Sequence, residues 1–203
     1  MEGKTTKEKI LDAMFELLAE GGYDKASMRK IAKKVGIRES AIYNHYKNKE
    51  AIFEAILERL FSNAFEEFFK KRPLEESAKR GKRFLQEFVM AYKLIAFDPK
   101  QEHLFRIVLL EMMRNQTVRK LFLKHFFDVN IKMLSSAFFL MMQEEMIRSE
   151  DPKLMAYEFL APLFTMRLQI TLLRLDGEPT TSFSTLFEKH VEFFWASIAL
   201  RSF

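Results

Sequence analysis

Apolar residues recur at helical spacing over most of this 203-residue chain. Apolar positions three and four residues apart share one face of a helix, whereas strict alternation of apolar and polar positions would indicate strands. No segment alternates over a useful length. Only 6 Gly and 5 Pro interrupt the pattern, which is few for a chain rich in tight turns. The pattern therefore predicts an all-α fold.

The N-terminal third predicts four helices. Thr5 and Glu8 match a capping box at the start of the first helix, and Gly21-Gly22 is expected to end it. Ser27 is a suitable N-cap for the second helix, which should end at Gly36. The predicted bounds are about 5–22, 27–36, 39–46 and 48–71, with Pro73 interrupting the last pattern.

The rest of the chain alternates long apolar-periodic segments with short breakers. Each breaker contains residues that favour turns, such as Asp-Pro, Asn-Gln or Asp-Gly. Five more helices follow from this pattern, at about 75–97, 101–114, 117–148, 152–175 and 182–201.

Positive charge is concentrated in one short segment. Residues 25–49 contain eight Lys or Arg and one Glu, a charge of +7, whereas the whole chain carries +5. This distribution is typical of a surface that binds a polyanion, although a solvated basic helix face would give the same pattern.

Cysteine is absent, which excludes disulfides, cysteine-ligated zinc and thiol catalysis. The charged N-terminus does not resemble a signal peptide, and apolar runs are too short to span a membrane. We therefore expect a cytoplasmic location.

Residues 27–46 have the spacing of a helix-turn-helix. Ala32 is small where two helices must approach closely, and Gly36 lies at the turn, where glycine tolerates positive φ. Ile42 can anchor the third helix, which leaves another face of that helix free for the major groove of DNA.

The same segment resembles the signature of the TetR family of bacterial transcriptional regulators over about residues 6–57. The matching positions are Val35, Gly36, Ser40, Ala41, Ile42, Tyr43, His45, Tyr46, Lys49 and Glu50. Arg38 departs from the family pattern, which often has Ser there, and Tyr46 keeps the aromatic character of the usual Phe but adds a hydroxyl. The resemblance implies a helix-turn-helix DNA-binding domain over residues 1–47 and a helical ligand-sensing and dimerisation domain over 48–203.

By this resemblance, Tyr43 and Lys49 are expected to contact phosphate, as is Ser27 at the start of the second helix. Arg38 would read guanine, Asn44 adenine and Ala41 a thymine methyl group. His45 would contact DNA or support packing, and Glu39 would accept from cytosine or remain solvated. The predicted DNA-binding residues are Ser27, Arg38, Glu39, Ser40, Ala41, Tyr43, Asn44, His45, Lys47 and Lys49.

The C-terminal part is dense in Phe and Met, which form either core or an adaptable, largely apolar effector site. The resemblance implies such a site among the middle helices. Arg167 interrupts an apolar face, where it would orient a ligand, pair with an acid or reach solvent. The predicted ligand-binding residues are Met90, Phe97, Phe105, Met112, Phe138, Met142, Met166 and Arg167.

The last two helices form the family's dimer interface, and here they are broadly apolar. Their apolar positions include Leu160, Leu163, Phe164, Leu168, Phe187, Val191, Phe194, Trp195, Ile198 and Leu200. The resemblance thus predicts a homodimeric regulator that an effector releases from a near-palindromic operator. Because repression is commoner than activation in this family, we expect a repressor.

Two other functional classes are less consistent with the sequence. An enzyme would need a catalytic constellation, but the four histidines are scattered and no phosphate-binding glycine loop is present. No catalytic residue, metal site or cofactor is therefore expected. A membrane-surface protein would explain the basic segment, but not the Ala32, Gly36 and Ile42 spacing.

Overall fold

The structure, a computed structural model, describes residues 4–61 and 73–200, with side chains on the fourth helix described as far as Glu58. Within these ranges the chain forms eleven α-helices, one π-helical turn and no strand beyond an isolated bridge between Ile147 and Ala199. The all-α prediction is confirmed. No helix in the described ranges is long and apolar enough to cross a membrane.

The helices are numbered here in chain order. Their bounds are α1 Thr6–Lys25, α2 Met28–Val35, α3 Glu39–Ile42, α4 Lys49–Phe61, α5 Leu74–Ala78, α6 Lys82–Phe97, α7 Pro99–Arg114, α8 Gln116–Phe122, the π-helical turn Leu123–Asp128, α9 Val129–Gln143, α10 Pro152–Leu175 and α11 Ser182–Ile198. The predicted continuation of α4 to Lys71 lies outside the described residues.

The described residues form two compact units. The first unit contains residues 4–61 and 103–125, and the second contains 73–102 and 126–200. Helix α7 contributes residues to both units. The domain boundary after residue 47 remains a prediction.

The first unit begins with the predicted capping box. The Thr5 side chain accepts from the Glu8 amide at 3.3 Å, and the Glu8 carboxylate accepts from the Thr5 amide at 2.8 Å. The backbone leaves the helical conformation at Gly22, as Gly21-Gly22 predicted, with φ 78° and ψ 178°, values that suit glycine. A short further helical stretch carries α1 beyond this kink to Lys25.

Two long predicted helices are interrupted. The segment 75–97 breaks at Gly81, where φ is 54°, so that α5 and α6 are separate helices. The segment 117–148 contains the π-helical turn and ends as a helix at Gln143, ahead of Glu145 at φ 54°. Apolar positions recur through the π-helical turn, which explains why the pattern did not reveal it. The break at Gly81 lies in the run 79–83, which contains a glycine and no apolar residue.

The core of the second unit is aromatic and lies between α6, α9, α10 and α11. Phe159 on α10 packs against Phe88, Phe138 and Phe194, with ring centroids 5.0–6.2 Å apart. All four rings are buried. These contacts hold α10 and α11 against the rest of the second unit.

Candidate DNA-binding face

Helix α3 is fixed to the first unit by its apolar positions. Ile42 is completely buried, Tyr46 nearly so, and Ala32 is buried in the middle of α2. Gly36 adopts φ 78° at the turn, and its amide donates to the Ala32 carbonyl at 3.0 Å. The geometry predicted for a helix-turn-helix from these small and apolar positions is therefore present.

One side of this anchored segment is exposed, and we call it the α3 face. Its members are exposed polar or aromatic side chains that directly precede, lie on or follow α3: Arg38, Glu39, Ser40, Tyr43, Asn44, His45 and Lys47. Tyr43 is 52% exposed, so its ring is not part of the hydrophobic core. Ala41 is half-buried at the margin of this face.

Two cations on the α3 face are available to an anion. Among the described residues, Arg38 and Lys47 have no hydrogen bond or ion pair from their side chains. Lys34 differs, because its ammonium group bonds the Glu16 and Glu20 carboxylates of α1 at 2.9 and 2.7 Å. The basic segment thus divides into cations that hold helices together and cations that face solvent.

Ser27 and Lys49 were predicted, like Tyr43, to contact phosphate. Both side chains already make contacts within the chain. Ser27 Oγ caps α2 by accepting from the Lys30 amide at 3.3 Å. Lys49 Nζ donates to the Tyr23 carbonyl at 3.0 Å and lies 4.1 Å from the centre of the Tyr23 ring. Burial lowers the pKa of the Lys49 ammonium. Contact of either residue with DNA remains a prediction.

The kink of α1 is held by a buried carboxylate that the sequence analysis missed. Glu111 on α7 is buried, and its Oε2 accepts from the Tyr23 amide at 3.0 Å. Its Oε1 pairs with the Arg114 guanidinium. A Cβ atom on Gly22 would lie 2.5 Å from Oε1. Sequence offered no signal for this contact, because the partners are 88 residues apart.

The eight predicted ligand-binding residues are divided between the two units. Phe105 and Met112 belong to the first unit, and the other six belong to the second. Met90 and Phe97 line an open cavity of about 1070 Å³ between α6 and α11. Phe138 and Met166 are buried, and Met142 is half-buried. Their role in binding an effector remains a prediction.

Arg167 is the most unusual of these residues, because it carries a guanidinium group and yet only 1% of it is exposed. Its guanidinium lies 5.8 Å from the centre of the Tyr92 ring. Burial lowers the pKa of Arg167, and burial raises the pKa of Tyr92 to about 12. Thr171, one turn further along α10, is also buried. The second unit therefore contains a polar cluster inside an otherwise aromatic core.

Most of the apolar residues named for the dimer interface are internal to the protomer. Six of them are buried in the second unit: Leu160, Leu163, Phe187, Val191, Phe194 and Ile198. A different set of apolar side chains on the same two helices is exposed, namely Leu154, Tyr157, Leu172, Leu175, Leu186 and Phe193. Both helices are apolar on more than one side, so composition alone did not distinguish the two sets.

The fold and the α3 face together define a helical protein with an N-terminal helix-turn-helix. The family model described as bacterial regulatory proteins of the tetR family matches residues 10–56. Residues 10–56 thus match the N-terminal domain of the TetR family, which confirms the resemblance found in the sequence.

Two curated relatives illustrate the extent of the match. The chain is 37% identical to the uncharacterised regulator YvkB of Bacillus subtilis over 60 residues, 30% of this chain and 32% of that protein. It is 42% identical to the class D tetracycline repressor protein of Escherichia coli over 53 residues, 26% of this chain and 24% of that protein. The matches thus span about a third or less of the relatives' length.

A solved structure extends the likeness to the whole fold. The complex of SmeT with triclosan has a TM-score of 0.74 at 17% identity, covering 98% of this chain and 94% of that chain. SmeT is described as the repressor of a multidrug efflux pump of Stenotrophomonas maltophilia. At this identity the similarity shows a common architecture of helix-turn-helix and helical C-terminal domain.

Proposed function

We propose that this protein is a sequence-specific DNA-binding transcriptional regulator, a repressor acting in the cytoplasm. The observation that carries the proposal is Tyr43, a half-exposed aromatic residue that directly follows α3, the helix that the buried Ile42 anchors. A tyrosine that is not used for packing, beside the unpaired Arg38, suits a phosphate backbone and the major groove beside it. Asn44 and His45 are exposed on the same face.

Selection of genomic DNA fragments by the purified protein at physiological salt tests this proposal. We expect enrichment of a near-palindromic sequence, and we expect Tyr43→Ala to lose it. Leu123→Ala is a matched control, because Leu123 is similarly exposed but lies far along the chain from the α3 face. Recovery of fragments without any sequence preference, or equal recovery by Tyr43→Ala, would contradict sequence-specific binding through the α3 face.

We also propose that the protein acts as a homodimer through α10 and α11. The exposed apolar side chains on these helices recur at helical spacing, and Phe193 is 78% exposed. Exposed apolar stripes of this kind are typical of protein interfaces. A two-fold dimer would present two α3 faces to successive half-sites of a near-palindrome.

Light scattering during size-exclusion chromatography tests the dimer. Phe193→Lys should convert a dimer into a monomer, because it places a charge within the apolar interface. Met113→Lys is the matched control, since Met113 is 77% exposed and lies on α7. A wild-type monomer, or a dimer that persists in Phe193→Lys, would refute this interface.

The proposed effector is a largely apolar small molecule with at least one polar group. The aromatic core of the second unit favours an apolar ligand, and the Arg167–Tyr92 cluster offers it a site for hydrogen bonding. The triclosan bound to SmeT is an example of a ligand in a protein of this fold. Binding would favour one arrangement of the middle helices, and α4 would transmit the change to the α3 face.

A thermal-shift screen with apolar phenolic and carboxylic compounds, beginning with triclosan, tests the effector proposal. A true effector should raise the melting temperature and weaken operator binding, and Arg167→Met should reduce both effects. A compound that stabilises the protein without changing its affinity for the operator would not be an effector. If every stabilising compound behaved in that way, regulation by a ligand would be refuted.

A further inference from the structure

Three side chains with metal-binding chemistry converge in the first unit, on segments that the sequence keeps far apart. Glu54 and Glu58 lie one turn apart on α4, and His125 lies in the π-helical turn. Their ligand atoms all lie within 4.8 Å of one another. We propose that Glu54, Glu58 and His125 form a binding site for a divalent transition-metal ion, with Zn²⁺ as the ion that fits best.

His125 separates this group from an ordinary cluster of surface acids. Its side chain is 5% exposed, and its Nε2 lies 3.2 Å from Glu54 Oε1. The imidazole is thus buried, with its polar edge directed at a carboxylate. A π-helical turn, which is frequent at functional sites, holds His125 in this place. Glu58 is exposed, so an ion has a route to the site from solvent.

The geometry requires only a small rearrangement. Zinc binds imidazole nitrogen and carboxylate oxygen at about 2 Å, so that ligand atoms around one ion are roughly 3.0–3.5 Å apart. His125 Nε2 and Glu54 Oε1 already have this separation. Rotation of the exposed Glu58 side chain closes the remaining gap, and water completes the coordination. Magnesium and calcium are less suitable, because they prefer ligand sets made only of oxygen.

Lys124 is the competitor of the metal ion. Its ammonium group bonds Glu54 Oε1, and this bond lowers the pKa of the Glu54 carboxyl. A metal ion would replace that ammonium group as the cation on Glu54. It would also take the Nε2 lone pair of a neutral His125, whose proton would then reside on Nδ1. The bound ion would join α4 to the π-helical turn.

Titration of the chelator-treated full-length protein with Zn²⁺ in a calorimeter tests this site. We expect one ion per chain, with affinity lowered by at least about tenfold in Glu58→Gln, since loss of even an indirect partner costs 10–100-fold. His125→Gln should lower the affinity for Zn²⁺ similarly. If this substitution of a buried residue prevents folding, the Glu58→Gln variant alone tests the site, because Glu58 is exposed. Lys124→Met should bind Zn²⁺ more tightly than wild type because the competing cation is gone.

Glu50→Gln is the matched control, because Glu50 is an exposed acid one turn earlier on α4. It should bind Zn²⁺ as wild type does. The absence of one-to-one binding by the wild type would overturn the proposal. So would binding that is equal in Glu58→Gln, Glu50→Gln and wild type, because that result would indicate an adventitious ion bound elsewhere on the protein. The test needs no DNA, so it stands or falls separately from the proposed function.

Discussion

Replacement of Gly22 by alanine should destabilise the protein much more than the same change at Gly36. Both glycines have φ 78°, but their surroundings differ. A Cβ on Gly22 would lie 2.5 Å from Glu111 Oε1, whereas a Cβ on Gly36 would meet nothing within 4 Å. The two positions therefore share a positive φ but differ in ψ and in the contact with Glu111.

The expected magnitudes follow from these environments. Gly22 also has ψ 178°, a region open almost only to glycine, which costs about 1–3 kcal/mol for alanine. Displacement of the buried Glu111 carboxylate weakens its bond to the Tyr23 amide, a loss of about 1.5–3 kcal/mol for a charged acceptor. We expect Gly22→Ala to lose about 2.5–6 kcal/mol in all, and Gly36→Ala to lose about 1–2 kcal/mol from its left-handed backbone alone.

Urea denaturation followed by circular dichroism measures the free energies of unfolding. A double-mutant cycle with Glu111→Ala isolates the contact, because in that background Gly22→Ala should cost only the backbone part, about 1–3 kcal/mol. Equal losses for the two glycines, or an unchanged cost of Gly22→Ala when Glu111 is absent, would refute the role of the buried carboxylate at the α1 kink.

Three further outcomes are expected. Phe138→Ala should lower the free energy of unfolding by about 3–5 kcal/mol in urea, since a completely buried ring leaves a cavity. Tyr46→Phe should raise the free energy of unfolding by about 1 kcal/mol, because the buried Tyr46 hydroxyl has no hydrogen-bond partner within the described residues. Burial lowers the pKa of His190 below 6.5 in the folded protein. Below about pH 6.5 the unfolded chain therefore binds more protons than the folded one, and the free energy of unfolding should fall as the pH drops. Denaturation at pH 7 and pH 5 should show a smaller loss in His190→Gln than in wild type.

Each of these outcomes has a contrary result. A loss below about 1 kcal/mol in Phe138→Ala would mean that this ring is not part of the core. A destabilised Tyr46→Phe would show that the hydroxyl does have a stabilising partner. An identical pH dependence in wild type and His190→Gln would contradict a lowered pKa of His190 in the folded state.

The helix-turn-helix was predictable because its rules are local. Gly36 at a turn, Ala32 at a close approach and Ile42 at an anchoring position act over a few residues each, and all three are confirmed. The exposure of Tyr43 was expected from the resemblance to the TetR family and agrees with the structure.

The remaining features depend on contacts between distant residues. Gly21-Gly22 indicated a break in α1, but the sequence could not show that the Glu111 carboxylate accepts from the Tyr23 amide beside it. The same limitation hid the convergence of Glu54 and His125. Composition identified α10 and α11 as broadly apolar, but the division between buried and exposed sides, such as Phe194 and Phe193, depends on tertiary packing.

The central claim is sequence-specific DNA recognition by the α3 face, and fluorescence anisotropy tests it most directly. The measurement compares the enriched near-palindromic duplex with a scrambled duplex of the same composition, across a range of salt concentrations. We predict that the near-palindrome binds at least about 1000-fold more tightly. Its affinity should fall with salt by roughly 0.9 log unit per log unit for each phosphate contact. Equal affinity for both duplexes would contradict the claim and leave the α3 face as a non-specific basic surface.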